Sequence, residues 1–167
     1  MNTDLIKSVV EKQMNTTVSK IHAVGKGASG SVYLVKITTE PYQIAVKTSK
    51  FYEAICKERE MLDFLSARVS YRVPKTYFLH QENDTVFLGM DYIKGMSGKS
   101  KYIVFVPSRK KLKNSIIDAL MIAQSIHNDK FGKYDNPTYD TWAEYYKDYF
   151  VDIYAFTKQK FEKKKED

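Results

Sequence analysis

The residues most able to do chemistry are a glycine-rich segment and a lysine that follows it. Residues 25–32 read Gly-Lys-Gly-Ala-Ser-Gly-Ser-Val, and Lys47 ends the segment Ile-Ala-Val-Lys. Glycine lets backbone N–H groups approach phosphate oxygens without an intervening Cβ, and lysine supplies a compact positive charge. The glycine pattern by itself also fits a flexible hairpin turn or several unrelated nucleotide folds. Phosphate binding is therefore a hypothesis that the neighbouring elements must decide.

The elements around the glycines favour a kinase-type arrangement. Residues 17–24 and 31–37 have strand-like β-branched patterns, and residues 43–49 predict a third strand that carries Lys47. A dinucleotide-binding fold would instead place a helix after the glycines. A loop between two strands is typical of kinases, in which it covers the nucleotide phosphates. We expect Val32 to pack on the base, and we expect the phosphates to contact Gly25, Lys26, Gly27, Ala28, Ser29 and Gly30.

Lys47 needs a carboxylate partner, and the predicted helix at 52–66 offers one. Its apolar stripe consists of Ile55, Met61, Leu62 and Leu65. Glu58 lies beside this stripe, while Glu53 and Glu60 lie on other faces and are the alternatives. An isolated lysine or glutamate is usually a surface charge. The prediction depends on the ordered set of glycine loop, lysine and helical glutamate.

The segment Phe-Leu-Gly-Met-Asp-Tyr-Ile-Lys-Gly at 87–95 predicts the border of a base pocket. Met90 would line the pocket together with Ala45, and backbone groups of Asp91, Tyr92 and Ile93 would bond the adenine edge. The alternative is an ordinary edge strand that ends in a glycine turn.

The remaining elements follow from periodicity. A helix is predicted at 3–14, a hairpin from strands at 73–80 and 85–93, a short extended segment at 102–106, a helix at 109–127 and a loop at 128–137. A last helix begins near residue 138. We interpret its aromatic stripe as core packing rather than as a platform on which nucleic-acid bases stack. The stripe comprises Trp142, Tyr145, Tyr149, Ile153 and Phe156.

Five segments together resemble the N-terminal lobe of the aminoglycoside phosphotransferases, a family that shares the protein-kinase-like fold with choline and fructosamine kinases. They read GKGASGSVY, IAVK, KEREMLDFL, VPKTYFLH and FLGMDYIKG. IIDALMIAQSIH and YDTWAEYY resemble later parts of the family, so the resemblance covers about residues 15–155 and is strongest in residues 24–95. It implies an α+β fold with a kinase-like N-lobe (a five-stranded antiparallel sheet and a helix) at 1–93, a linker at 94–108 and a partial helical C-lobe at 109–167.

The resemblance also implies a function. The family transfers the γ-phosphate of ATP or GTP to a hydroxyl of a small molecule, which could here be an aminoglycoside, choline, fructosamine or another sugar. Its catalytic His-Gly-Asp loop, a downstream Asn and a further Asp for Mg²⁺ follow the segments matched here. We expect this chain to bind nucleotide, to be truncated before that loop and to hold Mg²⁺ only if the missing C-lobe were present. Whether it is an enzyme by itself is left open.

His127-Asn128-Asp129 imitates a catalytic loop. The family's pattern requires Asn five residues after the Asp, where this chain has Tyr134. We therefore interpret Asn128 as a helix C-cap, His127 as packed against the lobe and Asp129 as non-catalytic. His22 and His80 are predicted to be structural residues in strands, and no His or Cys cluster has the spacing of metal ligands.

Composition limits the class of protein. The net charge is +7 and the basic residues are spread along the chain, so we expect no nucleic-acid partner. A nucleic-acid-binding protein remains an alternative that would require steeply salt-dependent affinity. Cys56 is the one cysteine, and neither a signal peptide nor an apolar run of membrane-spanning length is recognisable. We expect a cytoplasmic protein without a membrane partner.

The aromatic helix leaves a second function open. If its apolar face is partly uncovered, it predicts self-association. The alternative function is then a non-catalytic protein-interaction module on a kinase-like scaffold.

Overall fold

The computed structural model describes residues 3–27, 30–95, 106–133 and 136–163. The elements in chain order are α1 (Thr3–Met14), β1 (Val18–Gly27), β2 (Gly30–Ile37), β3 (Gln43–Ser49), α2 (Tyr52–Ser66), β4 (Thr76–Glu82), β5 (Thr85–Asp91), α3 (Val106–Gln124), β6 (Phe131–Lys133), β7 (Asn136–Tyr139) and α4 (Trp142–Lys163). The predicted bounds of α1, β3 and α2 are confirmed. The predicted extended segment at 102–106 lies outside the described residues, except that Val106 begins α3.

Five strands form one antiparallel sheet in the order β1-β2-β3-β5-β4. The fold is therefore α+β with a five-stranded antiparallel sheet, as predicted. β4 and β5 form the predicted hairpin, but β4 spans 76–82 instead of 73–80 and β5 ends at 91 instead of 93. Glu82 pairs with Thr85 across Asn83 and Asp84. Asn83 has a φ of 53°, a conformation that asparagine tolerates better than most residues.

The two faces of the sheet carry different cores. On one face α1 buries Ile6, Val9 and Val10 against residues of the sheet. The sheet residues in this cluster are Val18, Tyr33, Val35, Ile37, Ile44, Val46, Phe78 and Phe87. On the other face Ile55 of α2 packs with Val86 and Leu88. The second core is smaller than the first because polar residues share its face of the sheet.

Two glycines are required by close approaches between strands. A Cβ built at Gly89 would lie 2.2 Å from the ring of Phe78, and one at Gly30 would lie 1.9 Å from the carbonyl oxygen of Thr48. Gly30 also has a φ of +153°, which side chains disfavour.

The chain divides into two compact units, residues 1–123 and 124–167. The sequence prediction divides it at 93 and 108 instead, and those boundaries stay a prediction. α3 begins three residues before its predicted start because Pro107 is tolerated in the first turn of a helix. Its apolar positions are exposed, for example Ile116 at 51% and Leu120 at 57%.

The end of α3 corrects the prediction made for residue 128. The helix ends at Gln124 rather than at residue 127, so Asn128 is not its C-cap. His127 belongs to the second unit and is exposed, and its packing against the lobe stays a prediction.

The second unit contains a hairpin that the sequence did not predict. β6 and β7 pair between residues 131 and 139, where we expected a loop at 128–137 and the start of a helix at 138. α4 begins instead at Trp142, preceded by Thr141. Thr141 and Glu144 form a capping box, in which Thr141 Oγ1 accepts from the Glu144 N–H at 3.2 Å and Glu144 Oε2 accepts from the Thr141 N–H at 3.2 Å.

The predicted core packing of α4 is only partly present. Tyr145 is half-buried and stacks with Tyr149, but the stripe is otherwise exposed, with Trp142 at 50% and Phe156 at 58%. Within the described ranges, no helix is long and apolar enough to cross a membrane.

Candidate functional site

The centre of the candidate site is an ion pair between β3 and α2. Lys47 Nζ donates to Glu58 Oε2, and the two side chains are 19% and 33% exposed. Glu58 is therefore confirmed as the partner of Lys47. Glu53 and Glu60, the alternatives, are both exposed residues of α2. The pair leaves a lysine that is held in place yet reachable from solvent.

Strand register places the other predicted pocket residues on the face of Lys47. Val32 of β2 lies directly opposite Lys47, and Ala45 of β3 lies directly opposite Met90 of β5. Directly opposed residues of antiparallel strands point to the same face, as do residues two apart. Val46, which lies between Ala45 and Lys47 in the sequence, belongs to the core on the α1 face. Val32, Ala45, Lys47 and Met90 therefore share the face covered by α2.

The glycine segment is a tight hairpin rather than a long loop. β1 continues through Gly27, so that Gly25 pairs with Val32 and Gly27 with Gly30. Lys26 is exposed in this hairpin, and Ala28 and Ser29 lie outside the described residues. The sequence pattern predicts a strand only to residue 24, but the pairing of β1 with β2 continues through residue 27.

The glycines of this hairpin differ in what the fold requires of them. A Cβ at Gly25 would meet nothing within 4 Å, and one at Gly27 would meet only the carbonyl oxygen of Gly30 at 4.0 Å. Neither position has the positive φ that marks Gly30. The open space at Gly25 and Gly27 leaves the β1 backbone accessible to a ligand beside Val32 and Lys47.

The end of β5 is held by side-chain hydrogen bonds. Asp91 Oδ1 accepts from Tyr77 Oη, and Asp91 Oδ2 accepts from the Lys75 N–H at 3.2 Å. The Asp91 N–H donates in turn to the Lys75 carbonyl at 2.9 Å. Burial, followed by the hydrogen bond to Asp91, raises the pKa of Tyr77 to about 12. Tyr92 and Ile93 follow without regular structure, half-buried and 37% exposed respectively.

Asp91 points away from Lys47. Since Met90 shares the Lys47 face, its neighbour Asp91 lies on the opposite face. This agrees with Tyr77, which packs against the α1-side cluster. The sequence offered no signal for Tyr77, because its partner lies 14 residues away on the next strand.

His22 is opposite Leu34, which is opposite Ala45, so His22 lies on the face of Lys47, whereas His80 is opposite Phe87 on the α1 face. His22 and His80 are in β1 and β4, as predicted, and His80 Nε2 is 3.4 Å from Glu82. Asp129 is exposed in the second unit. Where the structure describes side chains, no three His, Cys, Asp or Glu residues are grouped so that they could hold a metal ion.

Comparison with known proteins adds no family assignment: no protein-family model matches the chain, and no curated protein sequence matches it. The family resemblance therefore remains a prediction from the sequence motifs.

Proposed function

We propose that the first unit is the nucleotide-binding lobe of a kinase-type small-molecule phosphotransferase. The triphosphate of ATP or GTP would lie along Gly25–Gly30 and Lys47, and the base would lie between Val32, Ala45 and Met90. Backbone groups of residues 91–93 would face the edge of the base. The observation that carries the proposal is the Lys47–Glu58 pair on the face shared by these pocket residues.

Stability does not account for that pair. Exposed ion pairs contribute about 0–1 kcal/mol to folding, and burial adds a desolvation cost that offsets the attraction, so this half-buried pair is weak evidence of a stabilising role. An ion pair fixes the ammonium group on its flexible stem, where it can act as a point charge for phosphate. The same arrangement of strand lysine and helix glutamate positions the phosphates in kinases.

The glycines support the same conclusion. Gly25 and Gly27 have room for a side chain, so their lack of one is not explained by packing within the described residues. A phosphate cradle explains it, because backbone N–H groups can then approach the ligand closely.

The proposal assigns binding and orientation of the nucleotide to this chain. In the intact family, the lobe would present the γ-phosphate to a substrate hydroxyl. Mg²⁺ would be held by residues beyond the matched segments, and we assign no transfer step to the described residues. Asp129 has no role in the proposal.

Titration calorimetry of ATP with Lys47→Ala tests the proposal. Loss of a charge-assisted hydrogen bond costs about 1.5–3 kcal/mol, so affinity should fall by about 10- to 100-fold. Gly27→Val should weaken binding comparably, because its side chain would occupy the phosphate path. Lys12→Ala is the matched control, since Lys12 is an exposed lysine of α1, which covers the opposite face of the sheet. Unchanged affinity in both Lys47→Ala and Gly27→Val, or no ATP binding by the wild type, would refute the proposal.

A second candidate function is a protein-interaction module, and α4 favours it. Trp142, Tyr146, Tyr149, Ile153 and Phe156 follow one another at steps of four and three and are 42–58% exposed. This spacing is that of a helix-pairing seam.

The charge pattern along α4 favours a second copy of the chain as its partner. Residues 142–152 contain three acids and one lysine, whereas residues 153–163 contain three lysines and one acid. Antiparallel pairing of two α4 helices would set each acidic half against a basic half. A stable dimer at micromolar concentration that Ile153→Lys dissociates, in a protein that binds no nucleotide, would favour this function over the first.

A further inference from the structure

We infer that Tyr77 and Asp91 form a positioning clamp that aims the backbone of residues 91–93 at the base of the bound nucleotide. The inference rests on the proposed function and names residues that act on the base end of that site. We expect neither the Tyr77 nor the Asp91 side chain to contact the nucleotide, so both are positioning residues.

The clamp lies where the strand ladder is irregular. β4 and β5 pair Thr76 with Met90 and Phe78 with Gly89, which leaves Tyr77 as an extra residue between two regular pairs. Such a bulge interrupts the ladder and redirects a side chain. The end of β5 stays paired with β3 through Ile44 and Asp91, but the ladder to β4 is interrupted, and there the Tyr77 side chain contacts Asp91.

Asp91 uses one carboxylate oxygen on Tyr77 of β4 and the other on Lys75, the residue before β4. One accepts from the Tyr77 hydroxyl and the other from the Lys75 N–H, while the Asp91 N–H donates to the Lys75 carbonyl. The carboxylate therefore ties the last residue of β5 to Tyr77 of β4 and to the residue that precedes β4. It also lies on the face opposite Lys47, so it is not aimed at the nucleotide.

The direction in which Tyr92 and Ile93 leave the sheet depends on this tie. They have no regular structure of their own, so the conformation of Asp91 fixes where their N–H and C=O groups begin. Without the clamp, Tyr92 and Ile93, which follow the last strand pair, would sample more conformations, and nucleotide binding would have to order them. The tyrosine keeps its proton at neutral pH, so the donor is present under ordinary conditions.

The inference assigns the phosphates and the base of the nucleotide to different residues of the site. The glycine hairpin and Lys47 would hold the phosphates, and they lie on β1, β2 and β3. The clamp lies on β4 and β5 and would affect only the base. Loss of the clamp should therefore weaken binding of ATP and leave binding of free triphosphate unchanged.

The experiment measures the affinities of wild type, Tyr77→Phe and Asp91→Asn for ATP and for inorganic triphosphate, together with urea unfolding. Loss of one hydrogen bond costs about 0.5–1.5 kcal/mol, so Tyr77→Phe should weaken ATP binding by about 3- to 10-fold. Asp91→Asn disturbs two bonds and should weaken it further. Both variants should bind inorganic triphosphate within about twofold of wild type.

Thr76→Val is the matched control. Thr76 is next to Tyr77 on β4 and opposite Met90, but its hydroxyl donates to Asp63 Oδ1 of α2 at 2.8 Å and not to β5. Its loss should lower stability without a selective loss of ATP affinity. A purely structural role for Tyr77 would make the two variants behave alike.

Each outcome decides between the claims. Wild type that binds neither ligand refutes the proposed function, and the clamp with it. Wild type that binds ATP, combined with Tyr77→Phe that binds it equally well, overturns the clamp alone. The clamp is also overturned if Tyr77→Phe weakens ATP and triphosphate to the same extent, or if Thr76→Val shows the same selective loss. If Asp91→Asn fails to fold, Tyr77→Phe alone decides.

Discussion

Replacement of Gly30 by alanine is expected to destabilise the first unit strongly. The new Cβ would lie 1.9 Å from the Thr48 carbonyl oxygen and 3.0 Å from the Thr48 carbonyl carbon. Both are backbone atoms of the paired strand β3, so no side-chain rotation can relieve the clash. β2 and β3 would have to separate at this end of the sheet.

The size of the effect follows from that separation. Carbon and oxygen in close contact lie about 3.3 Å apart, so the strands must move by more than an ångström. Such a shift breaks the pairing of Ser31 with Thr48, which includes the bond from Thr48 Oγ1 to the Ser31 carbonyl at 3.3 Å. Two lost hydrogen bonds cost about 1–3 kcal/mol. The strained φ of an alanine adds about 1–3 kcal/mol, for a total of about 2–6 kcal/mol.

Gly25→Ala is the matched comparison within the same hairpin. Its Cβ meets no atom within 4 Å, so its effect on stability should stay within about 0.5 kcal/mol. Trp142 is the single tryptophan and lies in α4, so its fluorescence would report on the second unit. Hydrogen exchange of the β2 and β3 amides, with urea as denaturant, measures the first unit directly. A Gly30→Ala protein within 1 kcal/mol of wild type would refute the reasoning, as would an equal loss in Gly25→Ala.

Three further predictions concern other parts of the chain. Phe87→Ala should cost about 3–5 kcal/mol in urea unfolding, because Phe87 is fully buried and its loss leaves a cavity; a cost below 1 kcal/mol contradicts this. The pKa of Tyr77 is raised to about 12 in the folded protein, against about 10 in the unfolded chain. The protonated phenol should therefore stabilise the fold below pH 10, and this stabilisation should be lost as the pH rises to 12. The difference in unfolding free energy between wild type and Tyr77→Phe should shrink across that window, and a constant difference would count against it. Thr141→Ala should lower the stability of α4 by about 1 kcal/mol, measured as an earlier loss of helical circular dichroism on warming. An unchanged melting curve would show that the capping box is dispensable.

Local patterns predicted the first unit well. Strand alternation placed Lys47 on β3, helical spacing placed Glu58 beside the buried Ile55, and the pair forms as expected. Both patterns depend on side-chain geometry within one element, which sequence spacing states directly. The hairpin of β4 and β5 was predictable for the same reason, since a polar turn separates two apolar runs.

Features that depend on contacts distant in sequence were not predictable. The hydrogen bond of Tyr77 to Asp91 requires a bulge at one position of β4, and no residue type marks it. β6 and β7 are strands of three and four residues within a segment rich in glycine, proline and asparagine, which is typical of loops. The end of α3 at Gln124 has no sequence signal that we can identify.

The glycine hairpin shows how structure separates two roles that one motif contains. Gly30 is required by the approach of Thr48, so its presence says little about a ligand. Gly25 and Gly27 are not required by any neighbour in the described chain, and the Lys47–Glu58 pair beside them adds little to stability. Three features that the fold does not need therefore lie together beside Val32. A ligand with phosphate groups accounts for all three, which is why the support for nucleotide binding comes from these residues and not from the match to the motif as a whole.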